Sequence, residues 1–474
     1  MKLFLTLALM ILPGVLFGAA ENSGVPHLEG GHLSVLWAVP FAGILLSIAI
    51  FPLVAPRFWH QNFGKVSAFW ALLLLIPMVV KFGMSVTGYE LLHVFLLEYI
   101  PFIILLLALF TIAGGVRIKG SLRGTPVVNL TILIIGTILA SWMGTTGAAM
   151  LLIRPLIRAN SWRQKKTHVI IFFIFLVANI GGSLTPLGDP PLFLGFLKGV
   201  DFFWTTSAMF LPMLMVAVIL WIIFYLVDSY YMKQEPNRTA PLEGSEKEAI
   251  GMEGSINLLL IAGAVSSVLI SGIWKPHISF SIYHVEVELQ NITRDFLLIG
   301  LSLASLKLTS DSVRKRNQFT WFPIQEVAKL FAGIFVTIIP AISILKAGEE
   351  GALGAIVGAV STSSGDPINA TYFWATGILS SFLDNAPTYL VFFNTAGGDP
   401  VQLMGELSQT LLAISAGAVF MGANSYIGNA PNFMVKSIAQ EQDIEMPSFF
   451  GYMLKYSIPI LFPIFVLVTW IFFL

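Results

Sequence analysis

Long apolar stretches separated by short polar segments run through the whole chain. A helix that crosses a bilayer needs about 20 apolar residues, and we predict a span wherever a run approaches that length. The predicted spans are 33–54, 66–84, 91–116, 207–227, 255–274, 295–308, 325–345 and 449–473. Together with interrupted segments in both halves, they predict an all-α polytopic membrane protein with about 10 transmembrane helices.

Basic residues in the short loops orient these spans. The segments 57–65, 117–123, 154–166 and 314–316 are rich in Lys and Arg, which predicts that they face the cytoplasm. The apolar stretch 126–153 lies between two of them and is interrupted at 142–147. A stretch with both ends on one side must enter and turn back. We therefore predict a re-entrant hairpin there, followed by a discontinuous helix over 168–198 that is broken at 181–191.

The second half repeats both interrupted segments at a constant offset of 240 residues. The matched pairs are Ser141 with Ser381, Gly144 with Asp384, Thr145 with Asn385, Gly182 with Gly422, Thr185 with Ser425, Leu187 with Ile427, Gly188 with Gly428, Asp189 with Asn429 and Pro191 with Pro431. The second hairpin, 368–396, has no basic cluster beside it and is predicted to enter from outside. The repeats would then be inverted, with discontinuous helices meeting at the midplane.

The predicted organisation has four parts. Residues 1–20 have one Lys, an apolar stretch and a small-residue end, which is typical of a signal peptide, although a first membrane helix has the same features. Residues 21–231 form the first inverted repeat and 255–474 the second. The polar, Glu-rich segment 232–254 between them is predicted to be a flexible cytoplasmic linker.

Composition narrows the chemistry. Of 474 residues only 11% are charged, against about 25% in soluble proteins. Lys plus Arg equals Asp plus Glu at 26 each, so no excess charge indicates a nucleic-acid partner, and the expected partner is membrane lipid. Cysteine is absent, which excludes thiolate metal sites and cysteine nucleophiles. We expect no cofactor, and carboxylates, amides and hydroxyls must supply the function.

The motifs at 181–191 (GGSLTPLGDPP) and 380–387 (SSFLDNAP) resemble the paired motifs of the ion transporter superfamily, especially its sodium:proton antiporters. The resemblance extends from about residue 33 to the end. It implies two hairpins, two broken helices, usually a homodimer, and a place in the bacterial inner membrane. The superfamily also holds citrate and dicarboxylate carriers and arsenite exporters. Its dicarboxylate carriers have Ser-Asn-Thr at both hairpin tips, whereas this chain has GTT at 144–146 and DNA at 384–386.

Asp384 and Asp189 are the main candidate residues, because an aspartate within a membrane segment is costly unless water, an ion or a partner satisfies it. Asp189 has the alternative role of capping the next half-helix. Hard cations take oxygen ligands, and carboxylates, amides and hydroxyls at the breaks provide them. The further candidate ligands for Na⁺ or H⁺ are Thr145, Thr146, Asn179, Ser183, Thr185, Asn385, Asn424, Ser425 and Asn429. Glu98 is a candidate proton relay, and His168 is expected to be a boundary residue.

We interpret the chain as a secondary transporter and not an enzyme. Exchange of Na⁺, or Li⁺, for H⁺ is the preferred function, because a desolvated carboxylate can hold either a proton or a cation. Sodium-coupled transport of citrate or another organic anion is the alternative, although no midplane Arg or Lys is evident to meet a carboxylate. An intramembrane aspartyl protease is a remote alternative, since two membrane aspartates can form a catalytic dyad.

Overall fold

The computed structural model describes residues 26–120, 122–236, 249 and 251–474, so the predicted signal segment 1–20 lies outside the described residues. The helices are α1 Val39–Val54, α2 Pro56–Val94, α3 Ile100–Ala113, α4 Pro126–Met143, α5 Thr145–Ala159, α6 Thr167–Leu176, α7 Pro190–Leu197, α8 Phe202–Lys233, α9 Ile256–Ile273, α10 Leu289–Leu308, α11 Asp311–Arg316, α12 Phe322–Lys346, α13 Gly354–Ala359, α14 Asn369–Phe382, α15 Asn385–Thr395, α16 Pro400–Met404, α17 Ser408–Met421, α18 Ala430–Gln440, α19 Phe449–Tyr452 and α20 Ile458–Phe472.

Short segments complete the architecture. Two-stranded antiparallel ribbons are formed by β1 Arg117–Lys119 with β2 Gly251–Glu253 and by β3 Ser279–Ile282 with β4 Val285–Glu288. Turns of 3₁₀ helix occupy Gly30–His32, Val35–Ala38, Ile180–Ser183, Gly348–Glu350 and Gly422–Asn424, and π-helical turns occupy Phe95–Tyr99 and Met453–Ser457. The molecule is otherwise helical, as the hydropathy pattern predicts.

Seven helical stretches in the described part of the chain are long and apolar enough to cross a membrane. One of them, Pro56–Ala113, is 58 residues long and contains both predicted spans 66–84 and 91–116. It bends at Gly83, where φ is +81°, a conformation that glycine adopts without steric cost. Another is α4, which covers the first part of the stretch 126–153 that the sequence predicts to be a re-entrant hairpin. These helices confirm the coarse prediction of a polytopic membrane protein.

The start of α4 and the end of α5 lie next to each other. The backbone N–H of Gly124, before α4, donates to the carbonyl of Ala159 at the end of α5, at 2.7 Å. The side chains of Asn129 and Asn160 exchange hydrogen bonds of 2.9 and 2.7 Å. Helices α4 and α5 therefore run out and back, and they open toward the face that carries the basic loops.

A buried charged cluster holds this face together. The carboxylate of Asp228 near the end of α8 lies 2.6 Å from Nη1 of Arg163 and 2.7 Å from Nε2 of His168. Nδ2 of Asn129 donates to the same carboxylate at 2.9 Å. The expectation that His168 is only a boundary residue is wrong, because its ring is buried against Asp228. The cluster ties the segment that follows α5 to α8.

The predicted flexible linker is ordered at both of its ends. Strand β2, at the end of the linker, pairs with β1, and Arg117 lies 3.0 Å from Glu253. The hydrogen bond from Arg117 holds the pKa of the Glu253 carboxyl below its usual range. At the other end, Glu235 accepts hydrogen bonds from the backbone N–H groups of Gln164 and Lys165. Both ends are thus attached to the first half of the chain.

The α14–α15 pair opens toward the other face. Helix α12 begins shortly after the basic segment 314–316, and its 25 residues extend about 37 Å to Lys346. A Cβ placed on Gly398, just past α15, would lie 3.5 Å from Cε of Lys346. The segment that leaves α15 is therefore at the opposite end of the molecule from the segment that leaves α5.

Candidate functional site

The N-terminal ends of four helices meet at the carboxylate of Asp189, which is 1% exposed. Oδ1 accepts hydrogen bonds from the hydroxyl of Thr145 at 3.0 Å and from Nδ2 of Asn429 at 2.8 Å. Oδ2 accepts one from Nδ2 of Asn385 at 2.5 Å. Thr145 begins α5 and Asn385 begins α15, while Asp189 and Asn429 directly precede α7 and α18. Four of the predicted site residues are thus brought into one cluster.

Local sequence explains why helices begin at this point. Pro190 and Pro191 open α7, and Pro431 lies in the first turn of α18, where proline removes no intrahelical hydrogen bond. A Cβ on Gly188 would lie 2.1 Å from the carbonyl oxygen of Gly182, and one on Gly428 would lie 2.6 Å from that of Gly422. Glycine is therefore required for the chain to cross itself in both broken helices.

Hydroxyl groups brace the two breaks in the same way. The hydroxyl of Thr185 donates to the carbonyl of Ser141, and the hydroxyl of Ser425 donates to the carbonyl of Ser381 at 2.5 Å. The hydroxyl of Ser141 in turn donates to the carbonyl of Gly181, and that of Ser381 to the carbonyl of Met421. Each pair of bonds is related by 240 residues, the offset found in the sequence. Thr185 and Ser425 thus donate to backbone carbonyls, while the described hydrogen bonds to Asp189 come from other side chains.

Asp384 has a different environment from Asp189. It precedes α15, and its Oδ1 accepts a hydrogen bond of 3.0 Å from the backbone N–H of Ala386, which caps the helix. Asp189 occupies the equivalent position before α7 but makes no such cap. Asp189 therefore does not cap the half-helix that follows it, whereas Asp384 caps α15. The carboxylate of Asp189 faces the cluster.

Two buried amide oxygens at the breaks have no hydrogen-bond partner among the described residues: Oδ1 of Asn179 and Oδ1 of Asn385. Both side chains are fully buried. A Cβ on Gly422 would lie 3.1 Å from Oδ1 of Asn179 and 3.6 Å from Nδ2 of Asn385, so a side chain there would crowd the Asn179 amide. A buried acceptor without a protein donor is commonly satisfied by water or by an ion.

The other predicted residues lie around the cluster or away from it. Thr146 lines a small cavity beside Asp189, and Asn424 donates to the hydroxyl of Ser381 at 2.9 Å. Ser183 is bonded to the carbonyl of Ile180 in its own turn. Glu98 is 2.5 Å from Nζ of Lys198, which follows the last residue of α7. Glu98 thus pairs with a lysine at the far end of this helix and is not among the residues that bond Asp189.

Sequence reasoning missed Asn432, which contacts the cluster from α18. Its Oδ1 accepts from Nδ2 of Asn179 at 2.7 Å, and its own Nδ2 donates to the carbonyls of Gly422 and Ser425. The signal that could have found it is a second amide three residues after Asn429, on the first turn of a predicted half-helix.

The cavity beside Asp189 is small and mostly apolar. Its volume is 90 Å³, and Asp189 is the one charged residue among the described residues that line it. Leu109, Phe193 and Ile324 form much of the wall.

The chain matches a known protein family over almost its whole length. Residues 30–473 match the family described as "Putative citrate transport". The chain belongs to this family. It is therefore a multi-pass membrane transporter, and the match confirms the resemblance found in the sequence to the ion transporter superfamily and its citrate carriers. A comparison with curated proteins gave no significant match.

Proposed function

We propose that the protein exchanges Na⁺ for H⁺ across the bacterial inner membrane and that Asp189 couples the two ions. The observation that supports this most directly is the buried Asp189 carboxylate, surrounded by amide and hydroxyl groups, with no basic side chain among its described partners. A carboxylate deprived of water is neutralised by either a proton or a cation, so the two compete for one site.

The unpaired amide oxygens supply the remaining ligands in this proposal. Oδ1 of Asn179 and Oδ1 of Asn385 have no hydrogen-bond partner among the described residues, and in this proposal they would coordinate the cation. Na⁺ takes such oxygen ligands together with a carboxylate. Asp384, one residue before Asn385, adds a second carboxylate near the site. Glu98 remains a candidate relay on the side of the outer face.

Alternating access would follow from two inverted repeats, 21–231 and 255–474. The hydrogen bonds repeated at an offset of 240 residues support duplication of the hairpin and broken helix. The α4–α5 and α14–α15 pairs open toward opposite ends of the molecule, which supports inversion. In such transporters one repeat moves against the other around a central site. A homodimer is expected by resemblance.

Sodium-coupled citrate transport is the second candidate. The family description supports it, and helix N-termini, of which four converge here, attract anions. The carboxylate of Asp189 at their meeting point and the volume of 90 Å³ favour a cation as the species bound directly.

Everted membrane vesicles that carry a respiration-driven pH gradient would separate the two candidates. We expect added Na⁺ or Li⁺ to dissipate the gradient, with K⁺ as the matched salt control. Citrate alone should have no effect. Na⁺-dependent uptake of radiolabelled citrate, without cation-induced proton movement, would refute the antiport proposal and support the second candidate.

A further inference from the structure

A large cavity shares no lining residue with the Asp189 cluster. Its volume is 830 Å³, within the range of about 300–1,000 Å³ that small-molecule sites occupy. Its walls include the last residues of α9 and the first residues of α8 and α10. Helix α9 starts beside the β1–β2 ribbon and is 18 residues long, so its end lies about 27 Å from the basic face. The cavity is therefore at the outer ends of these helices.

The two sides of the cavity differ in chemistry. Phe196, Phe202 and Leu269 form an apolar side, with Trp204 next to them. Neighbouring apolar side chains on the outside of the molecule are exposed, including Ile273 at 76% and Phe296 at 71%. Such exposure at the end of a membrane helix is typical of contact with lipid. An amphiphilic molecule from the bilayer can therefore reach the cavity from the side.

The polar side contains buried groups that lack a partner. Arg294 is 1% exposed; its Nε donates to Asp295 and its Nη1 to Asn291, but its Nη2 has no hydrogen-bond partner among the described residues. Gln290 is 5% exposed, and its Oε1 likewise has none. Buried polar groups are normally paired, so an unpaired donor and an unpaired acceptor on one wall indicate a ligand that is both acceptor and donor.

The charges on the wall have both signs. Lys275 and Arg294 are basic, while the acidic residues are Asp201, Glu286, Glu288 and Asp295. Arg294 is paired with Asp295, which leaves an excess of carboxylates around Lys275. A ligand that is only anionic would be repelled by these carboxylates. A ligand with an anionic and a cationic group matches the wall, since each group then meets an opposite charge.

We propose that this cavity binds the headgroup of a phosphatidylethanolamine lipid. Its phosphate would accept hydrogen bonds from Arg294 and Lys275, and its ammonium group would donate to Glu288 and the neighbouring acidic side chains. Its acyl chains would continue along the apolar ends of α8 and α9. The bound lipid would also bridge α10 and the segment that follows α7. Helix α7 is the one that directly follows Asp189.

Native mass spectrometry of the purified full-length protein tests the proposal. We expect one phosphatidylethanolamine per chain to survive purification. In detergent, added phosphatidylethanolamine should bind at least tenfold tighter than phosphatidylcholine, whose quaternary ammonium has no N–H donors. The double variant Lys275→Gln/Glu288→Gln changes exposed side chains and should lower retention at least tenfold. Lys307→Gln, exposed at the other end of α10, is the matched control and should retain the lipid.

Arg294→Gln provides a second variant, accepted only if it elutes as the same single species in gel filtration. It should lose the lipid as the double variant does. Equal binding of the two zwitterionic lipids, preference for phosphatidylglycerol, or full retention in the double variant would overturn the proposal. Binding of citrate or inorganic phosphate in place of lipid would assign the cavity to a soluble anion and overturn it as well. None of these readouts depends on ion transport.

Discussion

The two halves of the chain have the same hydrogen bonds around their breaks but different side chains at the centre. Thr185 and Ser425 each bond the carbonyl of an equivalent serine. At the position that faces the centre, however, the first half has Asp189 and the second half has Asn429, and these two side chains bond each other at 2.8 Å. The hydrogen bonds that the two halves share thus surround a site with a single carboxylate.

Electrostatics explains why the acid occurs once. Two carboxylates at hydrogen-bond distance in a buried site cannot both be ionised without strong repulsion. An amide at the matched position instead donates to the carboxylate, so the pair is satisfied without a second charge. Duplication can therefore supply the backbone of a site, and a substitution at one position can supply its charge.

The equivalence of the two halves requires that they have opposite orientations in the membrane. Cysteines introduced singly at Gln164 and Glu406 are exposed in the structure, the first after α5 and the second after α16. With no native cysteine, a membrane-impermeant maleimide should label each from one side only, and the two sides should differ. Labelling of both positions from one side would contradict the inverted arrangement.

The largest functional effect is expected for the central acid. Asp189→Asn should lower cation-dependent proton movement by about 100-fold or more, because the amide cannot exchange a proton. The vesicle assay measures this, with protein levels matched by immunoblot. Asn429→Asp alone should reduce yield of folded protein, since it places a second carboxylate 2.8 Å from Asp189.

The exchange variant Asp189→Asn/Asn429→Asp is the matched control for that prediction. It restores one acid and one amide at the same separation, so we expect folding to recover and part of the transport to return. If the exchange variant is as poorly folded as Asn429→Asp, the two positions are not equivalent and the comparison fails.

A smaller effect is expected for Asp384, because its carboxylate caps α15 instead of facing the cluster. Asp384→Asn keeps a good capping side chain but removes a charge near the site, and it should weaken cation affinity by about tenfold. Asp384→Ala should lose in addition about 1 kcal/mol of stability with the cap. The concentration for half-maximal transport and thermal unfolding in detergent separate these two effects. Complete loss of transport in Asp384→Asn would make Asp384 the coupling acid.

The smallest effect concerns the bracing hydroxyls. Thr185→Val and Ser425→Ala each leave a serine carbonyl without its donor, and each should cost about 1–3 kcal/mol of stability. Thr131→Val removes an exposed hydroxyl bonded within its own helix and should change the melting temperature little. Similar losses of stability in Thr185→Val and Ser425→Ala would show that the two hydrogen bonds are equivalent in both halves. A loss in one variant alone would limit this stabilising role to that half.

Part of this structure follows from local sequence. The apolar runs predict the long helices because a bilayer selects by length and hydropathy. The pairs Gly188–Asp189 and Gly428–Asn429, each with a proline within two residues after it, predict where the helices break. The sequence also identified four residues that meet, Thr145, Asp189, Asn385 and Asn429, because polar groups at a membrane break must be satisfied.

Composition and spacing along the chain therefore predict the polytopic helical class, the offset of 240 residues between the interrupted segments, and the polar positions at their breaks. Which acid faces the centre depends on how the helices pack. Asp189 and Asp384 both precede half-helices, and their local sequences do not distinguish a cap from a ligand. The choice depends on partners 196 and 240 residues away, Asn385 and Asn429, whose amides reach Asp189 only after the helices pack. Burial of Asn432, His168 and Asp228 depends on the same long-range packing, which no local pattern encodes.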